Sequence, residues 1–384
     1  MSWKTVALGD VCKVIAGQSP EGKYYNNDGN GLPFYQGKKD FGSVYIKSPS
    51  VWTTEVTKEA TKGDILMSVR APVGPVNIST ENICIGRGLA AIRATEKIDK
   101  SYLFNFLLSI EKDLVGSSGA VFNSINKGQI ENLQTPLPPL PIQQKIVTKL
   151  DAIFAEIDKA TAAAETNAKN AEALFQSYLT QVFERGDEGW KRIKLKDIAE
   201  YFNGLTYSPK NVNEDGTVVL RSSNVQSDKI LLNDIVRVNS TIKEKLYVKN
   251  GDILMCSRNG SKRLVGKTAT IGNLEERMTF GTFMMIIRSE SNFFIEWFFK
   301  SDLFKRQISS GENTMINQIT RYMLDEIVIP LPDITTQKSI SSKISNLYNT
   351  SHLLKSSYIK KIDELSLYKQ SILKQAFNGE LVNE

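Results

Sequence analysis

The sequence predicts an α/β (α+β) protein: two tandem copies of one mixed α/β globular unit, each followed by a long helix, the two helices forming an antiparallel coiled coil. Three observations lead there. The chain repeats itself; strand-length apolar runs bounded by glycine recur in both halves; and two long stretches keep a seven-residue apolar rhythm. The expected boundaries are 1–140 for the first globular domain, 141–185 for the first long helix, 186–332 for the second domain, and 333–384 for the second helix and tail.

The repeat can be followed in order. Trp3-Lys4 and Leu8-Gly9-Asp10-Val11 recur as Trp190-Lys191 and Leu195-Lys196-Asp197-Ile198, and Gly17 recurs as Gly204. Gly63-Asp64-Ile65-Leu66-Met67, ending near Arg70, returns as Gly251-Asp252-Ile253-Leu254-Met255, ending near Arg258. Ala91-Ile92-Arg93 matches Ile286-Ile287-Arg288, Pro136-Leu137-Pro138 matches Pro330-Leu331-Pro332, and Gln144-Lys145 matches Gln337-Lys338. Gln176-Ser177 and Phe183 match Gln370-Ser371 and Phe377. The offset stays near 190 residues, as a duplicated unit requires.

Within each globular stretch, Asp64 to Ser68 and Leu89 to Arg93 read as short strands. Helices are expected from Tyr102 to Leu114 and from Ile295 to Ile308. After Pro141 no glycine or proline follows until Gly186, enough for roughly 65 Å of helix at 1.5 Å per residue. Its apolar or small seam runs Ile146, Leu150, Ile153, Ile157, Ala160, Ala164, Asn167, Ala171, Leu174, Tyr178. The second helix offers Ile340, Ile344, Leu347, Ser351, Leu354, Tyr358, Lys361, Leu365, Tyr368, Ile372. Alternating steps of four and three are the mark of a coiled coil.

Composition narrows the function. Charged residues are 23% and hydrophobic ones 41%, so the chain is an ordinary globular one, with a net charge of +6 that falls mostly in the two globular stretches. No apolar run of about 18 residues and no cleavable leader are present, and three distant cysteines (Cys12, Cys84, Cys256) suit a reducing cytoplasm. His352 is the single histidine, so a histidine-based nucleophile pair or zinc site is not expected, and no metal site is assigned.

The catalytic look-alikes are weak. Gly17 to Lys23 fits a phosphate loop only as far as its lysine; Tyr24 stands where a Ser or Thr should bind magnesium, and Pro20 removes an N–H donor. Asp10, Glu21 and Lys23 could form the acid pair and lysine of a stand-alone nuclease, but the second copy keeps Asp197 and loses the acid–lysine pair. No catalytic residue is assigned. What remains are polar loops suited to bases and phosphates: Gln36, Lys38, Lys39, Arg70 and Arg87 in the first copy, and Arg221, Asn224, Arg258, Asn259, Lys262 and Arg263 in the second. Arg70 and Arg258 follow nearly identical strands, while the loops beyond them differ. A shared scaffold with divergent loops fits two readers of two different sequences.

On these residues the chain resembles the DNA-specificity subunits of type I restriction–modification systems. The most specific pieces are the two Gly-Asp-Ile-Leu-Met strands, Pro136-Leu137-Pro138-Pro139 leading into the first helix, and Gln370-Ser371-Ile372-Leu373-Lys374-Gln375-Ala376-Phe377 with Gly379-Glu380-Leu381. The resemblance implies two target-recognition domains, each reading half of a split site in double-stranded DNA, with the helix pair setting the gap. It implies two modification (methyltransferase) subunits docked beside the helices and carrying S-adenosylmethionine, and restriction/translocase subunits using ATP and Mg. This chain would then hold no cofactor, act without catalysis, work in the cytoplasm and touch no membrane. The alternatives are the nuclease above and a coiled-coil scaffold without a DNA role.

Overall fold

A computed structural model describes residues 3–114, 124–186, 189–309 and 318–382. The chain divides into two compact units, 1–164 with 360–384, and 165–359.

The first unit is built on a four-stranded antiparallel sheet. Its strands are β1 (Cys12–Ala16), β2 (Ile65–Ser68), β3 (Val76–Ile78) and β4 (Leu89–Ala94), in the order β1-β4-β2-β3. β2 is buried at every position because helix α1 (Lys100–Leu114) and the neighbouring segments cover it, which is why its sequence reads as an unbroken apolar run. Beside it lies a five-stranded sheet in which Leu32–Tyr35 pairs parallel with Ile83–Ile85. Thr5–Ala7 pairs with Gln134–Pro136, so the start of the domain is stitched to its end immediately before the long helix α2 (Leu140–Thr180).

The second unit repeats this plan. Strands β5 (Glu200–Asn203), β6 (Ile253–Cys256), β7 (Thr268–Thr270) and β8 (Met284–Arg288) are ordered β5-β8-β6-β7, and Lys191–Lys194 pairs with Val328–Leu331. Its companion sheet has three strands, again with one parallel pair. The expected helix from Ile295 to Ile308 is two helices, α3 (Asn292–Lys300) and α4 (Asp302–Ser309). They break at fully buried Ser301, whose hydroxyl donates to Phe298 O at 2.6 Å and accepts from Phe304 N at 3.3 Å. The second long helix, α5, runs from Ile334 to Phe377.

One buried ion pair is common to both units. Asp64, 3% exposed, takes Thr61 N at 2.8 Å and the Arg93 guanidinium at 2.9 and 2.7 Å. Asp252, 2% exposed, takes Lys249 N at 2.8 Å and Arg288 at 2.8 and 2.6 Å. Each carboxylate locks the entry of the central strand to its sheet neighbour in two-pronged geometry.

In each unit the two long helices run antiparallel. In the first, Lys369 pairs with Asp158 at 2.9 Å and Lys149 reaches Leu381 O at 3.0 Å; in the second, Lys355 pairs with Glu172 at 2.7 Å and Ser351 donates to Ala171 O at 2.9 Å. The rhythm of four and three holds, but the seam is partly displaced from the expected one. Ile344, Ser351 and Ile372 are buried as expected, whereas Leu354 is 44% and Tyr368 51% exposed. Their places go to Lys355 and Lys369, whose ammonium groups find carboxylates while the Lys369 side chain lies over the Phe154 ring. On α2, Leu174 is 58% exposed and Phe175 is buried against Trp297 and Tyr348.

The start of the long helices corrects one repeat match. Gln143 donates to Pro138 O at 2.8 Å and Gln337 to Pro332 O at 2.8 Å, and both are buried. The counterpart of Gln337 is therefore Gln143 and not Gln144.

Candidate functional site

At the end of β2, Arg70 stands exposed beside two other loops. Arg70, Arg87, Gln36 and Lys38 line one recess of about 200 Å³ together with Gly37, Ser68, Ala71 and Gly88. Lys39 is exposed in the adjoining turn Lys38–Asp40 and is not part of that lining. The three loops are tied by backbone bonds: Val69 N to Gly88 O at 2.9 Å and Gly86 N to Tyr35 O at 2.8 Å. Gly88 is required here, because a Cβ would sit 2.2 Å from Gln36 O.

The same corner of the second unit is assembled by the same bonds. Ser257 N donates to Phe283 O at 2.9 Å and Gly281 N to Leu220 O at 2.9 Å, which makes Phe283 the counterpart of Gly88 and Arg221 that of Gln36. The repeated glycine is explained as well: a Cβ on Gly17 would lie 2.2 Å from Gly86 O, and one on Gly204 2.0 Å from Gly281 O. Arg258 lines a larger recess of about 700 Å³ with Asn203, Phe283, Gln318, Arg321 and Tyr322 among its walls.

The remaining residues singled out in the sequence separate into two groups. Lys262 and Arg263 are exposed in the short turn Lys262–Leu264, and Asn259 donates to Ser222 Oγ at 3.2 Å, joining that loop to the one after Arg221. Arg221 is held by Asp234 at 2.9 Å. Asn224 is not a reading residue. It is 1% exposed, donates to Leu231 O and Asp234 O, each at 2.9 Å, and accepts from Arg221 N at 2.9 Å, so its amide has no free edge for a base. Its work is to pin the Arg221 loop.

Phe283, Tyr322 and Gln318 were not singled out in the sequence. Phe283 and Gln318 lie outside helices and strands and Tyr322 in the short helix Arg321–Glu326, where nothing local marks them; the repeat offset, which sets Phe283 against Gly88, points to the first of the three.

The nuclease alternative gains nothing from the geometry. Glu21 and Lys23 are exposed and pair with each other at 2.7 Å, while Asp10 lies in the short turn Leu8–Asp10. Among the described residues no group of three or more His, Cys, Asp or Glu is placed to hold a metal. Burial pushes the Cys12 thiol up to about 12 and raises that of Cys256, the opposite of an activated nucleophile. His352 is exposed on α5, its ring 4.2 Å from that of Tyr348. Among the described residues no helix is long and apolar enough to cross a membrane.

Known proteins with this plan share one description. The chain is 30% identical over 51% of its length to the type I restriction enzyme EcoKI specificity subunit of Escherichia coli (strain K12), spanning 44% of that relative. It is 22% identical over 99% of its length to the type I restriction enzyme MjaVIII specificity subunit of Methanocaldococcus jannaschii, spanning 93% of it. Its fold is that of the HsdS subunit from Thermoanaerobacter tengcongensis, with a TM-score of 0.60 and 21% identity over 99% of this chain and 97% of that one. It also matches a chain from a structure on complex assembly and conformational transition of the type I R-M system, with a TM-score of 0.81 and 21% identity over 99% and 98% of the two chains. The type I restriction modification DNA specificity domain matches residues 1–166 and 187–364, so the chain belongs to that family of DNA-specificity proteins.

Proposed function

We propose that this chain is the DNA-reading subunit of a type I restriction–modification complex and has no catalytic activity of its own. The domain at 1–140 reads one half of a bipartite duplex site and the domain at 186–332 reads the other. The helices at 141–185 and 333–384 set the gap and dock two methyltransferase subunits, which bring S-adenosylmethionine. Restriction/translocase subunits with ATP and Mg join that core in the cytoplasm.

One observation carries this reading: the same three loops are tied by the same backbone bonds in both units, and beside them opens a basic recess that holds Arg70 in one and Arg258 in the other, walled by the Gln36–Lys38 loop in the first and by Gln318–Tyr322 in the second. Equal scaffolds with unequal loops suit two different sequences and one shared partner geometry. Arg70, Arg87, Gln36 and Lys38 are the proposed readers of the first half-site, with Lys39 beside them on a phosphate. Arg258 is the proposed reader of the second, with Asn259, Lys262 and Arg263 in reach and Arg221 released from Asp234 on binding.

The test is methylation mapping in cells carrying the complete system. Arg258→Ala should weaken or relax recognition in the second half-site by about 1–3 kcal/mol and leave the first unchanged; Arg70→Ala should do the reverse. A variant that altered both halves, or the wrong half, would refute the assignment. In solution, DNA affinity of the complex should fall steeply as salt rises, because Lys and Arg contacts release phosphate counterions.

A further inference from the structure

Two aromatic side chains stand exposed in the second recess, Phe283 at 56% and Tyr322 at 84%. Their backbones are held tightly. The Phe283 carbonyl accepts three bonds, from Ser257 N at 2.9 Å, Arg258 N at 3.1 Å and Ser257 Oγ at 3.0 Å. Its neighbour Thr282 donates to Leu205 O at 3.0 Å. Tyr322 is in the first turn of the short helix Arg321–Glu326, which is tied to the same loop by Ile319 N to Ser257 O at 2.7 Å. A rigid loop that aims a large ring into water gains nothing from it in the free chain, since water gains no apolar contact there.

The first copy sharpens the point. Its equivalents are Gly88, by the Val69 N to Gly88 O bond, and Gly128, by the matching bond of Ile125 N to Val69 O before the short helix Lys127–Glu131. At Gly88 no side chain fits, but a Cβ on Gly128 would meet only Asn126 Oδ1, at 3.5 Å. The tyrosine at 322 therefore does not answer a packing need of the shared scaffold. Both rings border the recess that holds Arg258 and Arg321, and the Arg258 guanidinium lies 5.6 Å from the Phe283 centroid.

We propose that Phe283 and Tyr322 are specificity residues of the second half-site, forming an apolar wall that contacts thymine 5-methyl groups in the major groove while Arg258 takes an adjacent polar base edge. The inference rests on the DNA-reading role proposed above. The two arginines favour duplex DNA over an apolar protein partner, and the thymine methyl is the one major-groove feature that an apolar surface reads.

The test uses the complete complex and synthetic duplexes in which thymidines of one half-site are replaced by deoxyuridine, which lacks the methyl group. The parent should lose roughly tenfold in affinity when the second half-site is substituted, the size of one good base contact. Phe283→Gly with Tyr322→Gly should lose a similar factor on ordinary DNA and become indifferent to the substitution, while Phe283→Leu with Tyr322→Leu should retain sensitivity. Deoxyuridine in the first half-site should affect parent and variants equally. A parent insensitive to deoxyuridine, a second half-site without an A·T pair, or a glycine variant that stays sensitive would overturn the proposal. So would glycine variants that bind DNA normally but fail to assemble with the methyltransferase subunits, which would make this face a protein contact. A parent complex with no sequence preference at all would instead bring down the DNA-reading role itself, and this inference with it.

Discussion

The two copies are most alike where strands enter the central sheet and least alike where loops leave it. Asp64–Arg93 and Asp252–Arg288 have the same donors, the same bidentate geometry and the same burial of the acid. A short distance along the same strands, one recess is walled by Gly88 and Arg87 and the other by Phe283 and Thr282. The buried pair tolerates little change, because an unpartnered interior charge is costly, whereas an exposed loop tied by backbone bonds accepts almost any side chain. A duplicated reader can thus diverge in what it recognises while keeping the frame that presents it.

The largest effect expected from breaking that shared frame is at the acids. Asp64→Ala and Asp252→Ala each take the carboxylate from an arginine on an interior strand of its sheet and should cost about 3–5 kcal/mol. Hydrogen exchange followed by mass spectrometry reads the two units separately. Each substitution should strip protection from its own central sheet, and the two losses should be alike. A tolerant copy would show that the pairs only look equivalent.

A second, smaller contrast lies along α5. Ile344 is fully buried and Leu354 is 44% exposed, although both fall on the heptad that the sequence displays. Ile344→Ala should destabilise its unit by about 2–4 kcal/mol, and Leu354→Ala by less than about 0.5 kcal/mol. Thermal unfolding of the two variants checks this; equal losses would restore the seam expected from the sequence.

That contrast also marks how far the sequence could be read. The repeat, the buried central strands and the long helices are visible because each rests on local periodicity or on direct self-similarity. The helix seam departs from the sequence pattern at Leu354 and Tyr368 because lysine reads as polar, while a lysine whose ammonium finds a carboxylate can lay its stem along the partner helix. The ion pairs were not legible: both members were visible in each copy, yet nothing local joins Asp64 to Arg93. Asn224 has the residue type of an adenine reader, and only its three hydrogen bonds exclude it. Arg70 and Arg258 stand out because they follow a repeated strand, and Phe283 does not because its counterpart is a glycine.

The smallest expected effect belongs to a feature of the second unit alone. Glu296 on α3 is partly buried, with Thr270 Oγ1 donating to it at 2.5 Å, and burial raises its carboxyl above the ordinary value. Thr270 and Lys300 pull it down, while Asp228 pushes it further up. The sign follows from linkage. A carboxyl held more protonated in the folded chain than in the unfolded one favours folding below its unfolded value, and that advantage is lost as pH rises through the folded value. Glu296 therefore makes the second unit less stable from mildly acidic to neutral pH. Glu296→Gln keeps an acceptor for Thr270 and removes the charge, so it should flatten that slope and stabilise the unit at neutral pH by on the order of 0.5 kcal/mol. Urea unfolding of parent and variant across this range, followed by exchange protection of α3, measures both. Parallel pH profiles would mean that the Glu296 carboxylate is well solvated. A variant less stable at neutral pH would mean that its charge is held by Lys300, and the second unit would then carry one more ion pair instead of a cost.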